Sequence, residues 1–185
     1  MTLLSSAVCD FGQKTVDFSL LNIDGKIYKK SDLLGVNGTL IMFICNHCPY
    51  VKAILPRLVK TTLELESYGI NSLAIMPNDS ENYPEDSFEN MKQFSKRNTF
   101  HFPYLIDESQ EISKKYSAVC TPEFFGYNKN EELNYRGRLS EIKNLEFVNE
   151  KNDLLEAMIM ISKTNKGPLE QYPSSGCSIK WRNSI

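Results

Sequence analysis

No stretch of this chain reaches the ~18 consecutive apolar residues that a membrane-spanning helix needs. Met1 to Gln13 has no basic n-region and too short an apolar run for a secretory signal. The expected compartment is the cytoplasm, where thiols rest reduced. Basic charge is not concentrated: 21 lysines and arginines lie scattered against 23 acidic residues, for a net charge of −2. Without a basic stripe, nucleic acid is not an expected partner, and no membrane association is expected either. Repeats, low-complexity tracts and linkers are missing, so 185 residues read as one domain. Cysteines are few and odd in number: Cys9, Cys45, Cys48, Cys120 and Cys177. In a cytosolic chain this points to catalysis or metal rather than to a disulfide framework.

What is present is organised around Phe43-Ile44-Cys45-Asn46-His47-Cys48-Pro49-Tyr50-Val51-Lys52. The run Thr39 to Ile44 is too apolar for an exposed edge and reads as a central strand buried on both faces. From Tyr50 to about Tyr68 the apolar residues mostly recur at helical spacing, interrupted by Pro56. Before this unit, Val16 to Ile23 and Lys26 to Tyr28 read as a hairpin turning at Asp24-Gly25. Ser31 is placed to cap a short helical turn. After it come a buried strand at Ile70 to Met76, a polar loop at Pro77 to Glu85, and a helix capped by Asp86 or Ser87. Tyr104 to Ile106 reads as a strand, and Ser109 opens a helix to Tyr116. Strands follow at Glu123 to Tyr127 and Leu133 to Arg136. A helix spans Glu150 to Ser162, and the chain is irregular from Thr164. Arg136 and Arg138, on a hairpin, read as solvated. The expected design is α/β: a mixed central sheet flanked by helices, with an N-terminal β-hairpin and an irregular C-terminal tail. Residues 1–15 are expected as an extension, 16–163 as the domain and 164–185 as a tail packed on it.

Pro49 decides the local chemistry. Proline suits the first helical position, where its missing N–H costs nothing. That puts Cys48 at the N-cap, facing the free amides of Tyr50 and Val51 and the positive end of the helix dipole. Thiol pKa values fall at such positions. His47 and Lys52 are placed to add positive charge. Cys48 is the expected nucleophile, and Cys45, at the strand end, is close enough in sequence to form a disulfide with it. A copper or zinc site built from Cys45, His47 and Cys48 is the second reading, and a redox-inert binding module the third. Asn78 and Asp79 lie on the cysteine side of the sheet and are read as a polar capping loop that borders the cleft. Cys9 is read as a bystander in a loose N-terminus, and Cys177 as a tail residue packing on the body.

Together with Thr121-Pro122 opening a later strand, the strand–cysteine–helix unit resembles the thioredoxin fold. More closely, the chain resembles the peroxiredoxin-like branch of the alkyl hydroperoxide reductase and thiol-specific antioxidant superfamily. The resemblance is carried by Cys45 to Lys52, Asn78-Asp79, Tyr83 to Ser87, Cys120 to Phe125, Tyr135 to Arg138 and Gly176 to Trp181. It implies a thiol–disulfide oxidoreductase or antioxidant protein without a dissociable cofactor. The implied partners are a thiol or disulfide substrate and a cytosolic thiol electron donor. Pro122 is implied to be the cis-proline beside the active cysteine, with Thr121 offering its backbone to a substrate. Cys120 then lies near the thiolate as a rival to Cys45 for the resolving role, and Pro49 and His47 shape the substrate surface. In thioredoxins a helix proline stands eight residues after the attacking cysteine, and Pro56 stands eight after Cys48. The other register pairs Cys45 with Cys48. The peroxidase pattern, a hydroxyl residue three before the cysteine and a proline seven before, is replaced here by Cys45 and Ile41. Disulfide or oxidised sulfur, rather than peroxide, is the implied substrate. Sco-type copper chaperones, also thioredoxin-like, separate their two cysteines by three residues rather than the two found here.

Overall fold

The computed structural model describes residues 2–182, and its elements follow the apolar runs and turn signals. A short strand at Leu3–Ser5 (β1) precedes the hairpin of Ser19–Asn22 (β2) and Ile27–Lys29 (β3). Gly25 turns that hairpin at φ +84°, a conformation glycine adopts without a Cβ penalty. Gly38–Phe43 (β4) leads through the cysteines into the helix Pro49–Glu66 (α1). Ile70–Met76 (β5), Phe88–Arg97 (α2) and Tyr104–Ile106 (β6) follow. Next come Glu111–Lys115 (α3), Cys120–Thr121 (β7), Glu123–Asn128 (β8) and Leu133–Gly137 (β9). A small ribbon, Ile142–Lys143 (β10) with Glu146–Phe147 (β11), precedes Asp153–Thr164 (α4). The last strand is Ser175–Ser178 (β12).

Seven strands form one mixed sheet in the order β3-β2-β6-β5-β4-β8-β9. β4 lies at its centre, parallel to β5 and antiparallel to β8, and every residue of β4 is buried. Side chains alternate across a strand. Leu40, Met42 and Ile44 therefore join the core under α1, α2 and α4, while Ile41 and Phe43 join the core beside α3. Burying an aliphatic side chain contributes about 1.5–3 kcal/mol, so this strand is among the stiffest supports the cysteines could have. Pro56 lies inside α1 without ending it. Among the described residues, no helix is long and apolar enough to cross a membrane.

Four expectations are corrected. Asp32 rather than Ser31 closes the short turn at Lys30–Asp32, accepting from the Lys29 amide at 3.0 Å. The helix after Ser109 begins only at Glu111, because Gln110 takes a left-handed conformation at its start. The tail is irregular as far as Ser174 and then orders as β12, which pairs antiparallel with both β1 and β7. Arg136 is not solvated: it is 5% exposed.

Arg136 instead holds the β7 loop in place. Its Nε and Nη2 donate to Glu123 Oε1 at 2.9 and 2.6 Å, and Nη2 also donates to the Ser117 carbonyl at 2.8 Å. The second oxygen of Glu123 accepts from the amides of Val119 and Cys120 at 2.8 and 3.4 Å. A buried carboxylate is thus shared between one guanidinium and the chain just before Thr121-Pro122. Removing one partner of a buried pair strands the other, so Arg136→Met is expected to cost about 3–5 kcal/mol in urea denaturation. Adding Glu123→Leu removes the stranded charge but leaves the Val119 amide without its acceptor. The double variant is therefore expected to keep a deficit of about 1–3 kcal/mol. Full recovery to wild-type stability would show that the pair is only an ion pair and anchors nothing.

Candidate active site

The site forms where β4 ends and α1 begins. Pro49 is the first residue of α1 and Cys48 is its N-cap. The Val51 amide faces the Cys48 sulfur without closing a full cap hydrogen bond. Cys48 Sγ lies 3.1 Å from the Thr121 carbonyl oxygen and 2.8 Å from Cys177 Sγ. Cys45 Sγ lies 3.2 Å from Thr121 Oγ1. The Thr121–Pro122 peptide is cis. Cys45 and Cys48 are both 0% exposed and Cys177 is 2% exposed, so the three sulfurs share a dry pocket.

These contacts set the acidities. The Cys48 thiol is pulled down to about 5, first by the hydrogen bond from Cys45; burial opposes this, and the Cys177 thiol and the Val51 and Cys177 amides add to it. The other cysteines move the opposite way. Donating to Cys48 and then burial raise Cys45 well above the ordinary thiol value. Burial first, and then the Cys48 hydrogen bond, push Cys177 up to about 12. Burial and the nearby Glu123 carboxylate raise Cys120. Burial takes half-buried Cys9 to about 11. Of the five thiols, Cys48 is the one drawn toward ionisation, and its sulfur also lies against the Thr121 carbonyl.

The structure joins Cys45, Cys48 and Thr121 in one contact set and adds Cys177, which the sequence reading left out of the site. It does not bring Cys120 into that set by its sulfur, which turns to the Pro122 carbonyl at 3.7 Å. Nor is the Thr121 backbone open to a substrate: Thr121 pairs with Cys177 of β12. Gly176 allows the close approach, since a Cβ there would sit 2.1 Å from the Thr121 carbonyl oxygen. Pro122 borders an apolar hollow with Ile54, Phe124 and Leu139. Lys52 is exposed and lines a groove of about 420 Å³ beside Asn46, His47 and Arg97.

Asp86 is the residue that sequence reasoning missed. Of the two expected caps, Asp86 or Ser87, it is Ser87 that caps α2, and Asp86 turns inward, 0% exposed. Its Oδ1 accepts from the amides of Asn46 and His47 at 2.8 and 3.3 Å. Its Oδ2 meets His47 Nδ1 at 2.7 Å and accepts from Asn78 Nδ2 at 2.7 Å. The carboxylate thus moulds the turn between the two cysteines. His47, stacked on Tyr83, has its pKa raised chiefly by this hydrogen bond. Burial opposes ionisation of Asp86, but the His47 and Asn78 bonds prevail and its pKa is lowered. Cys45, His47 and Asp86 put possible metal-ligand atoms within 4.8 Å of one another. The four hydrogen bonds to Asp86 already occupy its lone pairs.

Asp86→Asn is expected to cost about 3 kcal/mol, because a buried acceptor of four bonds becomes half donor. The His47 titration, followed by NMR, is expected to fall back toward its ordinary 6.5. The raised His47 pKa stabilises the fold fully below the unfolded value near 6.5 and loses that contribution as pH rises through the folded value. An unchanged His47 midpoint in Asp86→Asn would refute the assignment of the shift to Asp86.

The AhpC/TSA family pattern matches residues 11–139. No curated protein matches significantly. An uncharacterized conserved protein from Geobacillus kaustophilus is 37% identical and superposes with a TM-score of 0.92, over 100% of this chain and 99% of that one. A hypothetical protein from Sinorhizobium meliloti 1021 is 32% identical with a TM-score of 0.89, over 97% and 98%. A peroxidoxin from Mycobacterium tuberculosis, at 14% identity, shares the fold with a TM-score of 0.57 over 68% of this chain and 83% of its own. With residues 11–139 matched, this chain belongs to the AhpC/TSA family and has its thioredoxin-like fold and thiol redox character.

Proposed function

We propose that the protein is a thiol–disulfide oxidoreductase whose attacking sulfur is Cys48. The observation that carries this reading is the selective lowering of one thiol, at a proline-started helix N-terminus, while the four others are raised. The thiolate, not the thiol, is the nucleophile. In the first step the Cys48 thiolate attacks one sulfur of a disulfide R–S–S–R′. The Cys48–S–R bond forms, the substrate S–S bond breaks, and R′S⁻ leaves and takes a proton from water. In the second, a thiolate of the same chain attacks Cys48 Sγ. An intramolecular disulfide forms and RS⁻ leaves. Two electrons have then passed from the protein to the substrate, and a dithiol or monothiol donor returns them in a further exchange.

Cys45 serves the first step by keeping its own proton and directing it at Cys48. Cys120 is a poor second nucleophile on two counts, its raised pKa and the direction of its sulfur. Disulfide is preferred to peroxide as substrate because Ile41 and Cys45 replace the proline and hydroxyl of the peroxidase pattern.

Cys48→Ser is expected to lower reduction of a protein disulfide by roughly 100-fold or more. Cys120→Ser is expected to keep activity within about twofold, the range of a residue outside the reacting set. The rate of Cys48 alkylation by iodoacetamide is expected to be level near neutral pH and to fall as pH drops through about 5. Retained activity in Cys48→Ser, or an alkylation midpoint at the ordinary thiol value of 9.0, would sink the reading.

A further inference from the structure

The tail crosses the site as an ordered strand, and its sulfur lies 2.8 Å from that of Cys48. We propose that Cys177 is the resolving thiol, carried on a strand that must lift to admit substrate and dock again to complete the exchange. This rests on Cys48 being the attacking sulfur.

Three observations point the same way. The first is reach: Cys177 Sγ stands 2.8 Å from Cys48 Sγ, across 129 residues of sequence. The second is coverage. With β12 docked, Cys48 has no exposure at all, so no dissolved disulfide meets it. The strand also occupies the Thr121 edge, with Cys177 opposite Thr121 and Leu3 opposite Cys177. One edge holds one strand at a time, so substrate access and the docked tail exclude each other.

The third is how the strand is held. On its outer side, among the described residues, it pairs with β1, whose three residues are all exposed. On its C-terminal side the hold is mixed: Ile179 is buried in the core beside α3 and its amide donates to the Val119 carbonyl at 3.1 Å, while the Lys180 backbone is held by hydrogen bonds. The Asp79 amide donates to the Lys180 carbonyl at 2.9 Å, Gln110 Nε2 donates to the same carbonyl at 2.8 Å, and the Lys180 amide donates to Asn78 Oδ1 at 2.9 Å. The hydrogen bonds of Lys180 can be exchanged for water at small net cost, whereas Ile179 keeps an apolar anchor in the core, so the strand lifts ahead of Ile179 rather than with it. Asn78 also donates to Asp86, so the clamp on the tail and the turn around Cys48 share one side chain.

Cys45 is the rival, and its surroundings separate it from Cys177. Cys45 is fixed at the end of the central strand and stays buried throughout. The two causes that raise Cys177 are burial and the neighbouring Cys48 sulfur. The first disappears when the strand lifts. The second disappears when Cys48 is tied up as a neutral mixed disulfide. Cys177 therefore falls back toward the ordinary thiol value of 9.0, and a reactive thiolate fraction returns at the stage when a second nucleophile is needed. It attacks Cys48 Sγ, the Cys48–S–R bond breaks, the Cys48–S–S–Cys177 bond forms, and RS⁻ leaves with a proton from water.

The test uses the full chain and one equivalent of 5,5′-dithiobis(2-nitrobenzoate), which releases a coloured thiolate at each step. The expected result is two thiolates per chain and, on non-reducing peptide mapping, a Cys48–Cys177 link. Cys177→Ser is expected to release the first thiolate at the wild-type rate or faster and the second at least roughly tenfold more slowly, with the mixed disulfide accumulating on Cys48. Cys45→Ser is expected to change the second release by less. Gly176→Val keeps every thiol but obstructs docking; it is expected to speed the first release and slow the second. A Cys45–Cys48 or Cys48–Cys120 link as the main product, or a second release unaffected by Cys177→Ser, would overturn the proposal. A first release unaffected by Cys48→Ser would overturn instead the reading of Cys48 on which it rests.

Discussion

A sulfur anion held out of water has to find its donors in the protein. That constraint organises this molecule. Cys48 has no exposure, and its thiolate is met by the Cys45 and Cys177 thiols and by the amides of Val51 and Cys177. The four donors come from three parts of the chain: the end of the central strand, the first turn of α1, and the tail, which supplies two. The sheet and the helix place the Cys45 and Val51 donors, which stay when the tail lifts, and the docked tail adds the donors of Cys177. A fold whose central strand is buried on both faces supplies the rigidity this needs, since a shift of a few tenths of an ångström weakens each bond.

Much of the frame was legible because it is made by local rules. Ile70–Met76 and Tyr104–Ile106 lie on their apolar runs to the residue, and Pro49 begins α1 as its missing amide demands. Asp86, Cys177 and Arg136 were not legible, for one shared physical reason. Each is a polar or small residue whose place depends on partners far along the chain. Ser-Gly-Cys-Ser has no apolar alternation and low intrinsic strand preference. It becomes a strand because Thr121 and Leu3 offer it two edges at once. Asp86 sits beside a good cap and reads as one; only the donors of Asn46, His47 and Asn78, converging from two other segments, draw it inward. Arg136 follows a carboxylate 13 residues earlier that a hairpin reading places in solvent.

The same long-range partners link the site to its cover. Asp86 shapes the turn that carries Cys48, and Asn78 joins Asp86 to the backbone of Lys180, three residues after Cys177. Glu123 and Arg136 brace the other side, fixing the amides of Val119 and Cys120 just before Thr121. The β7 edge is therefore stiff, while the strand laid on it combines polar contacts with the burial of Cys177 and Ile179. A stiff edge with a removable strand lets the tail return to the same register after each departure, because Gly176 fits only where the Thr121 carbonyl leaves no room for a Cβ.

The three buried thiols also explain how two sequence registers coexist. Sulfurs within hydrogen-bond distance cannot all ionise, since a second like charge in a dry pocket is strongly disfavoured. Lowering one pKa raises its neighbours, which is the pattern of Cys45, Cys48 and Cys177. Pro56 stands eight residues after Cys48, as in one register, and the Cys45–Cys48 spacing of the other supplies the donor with the largest effect on Cys48. The pair is then a donor and an acceptor rather than two alternating nucleophiles. Once Cys48 is bonded to a substrate sulfur the charge leaves the pocket, and the reason for Cys177 to keep its proton leaves with it. The electrostatics that prepare the first attack thus hold back the second until the first is complete.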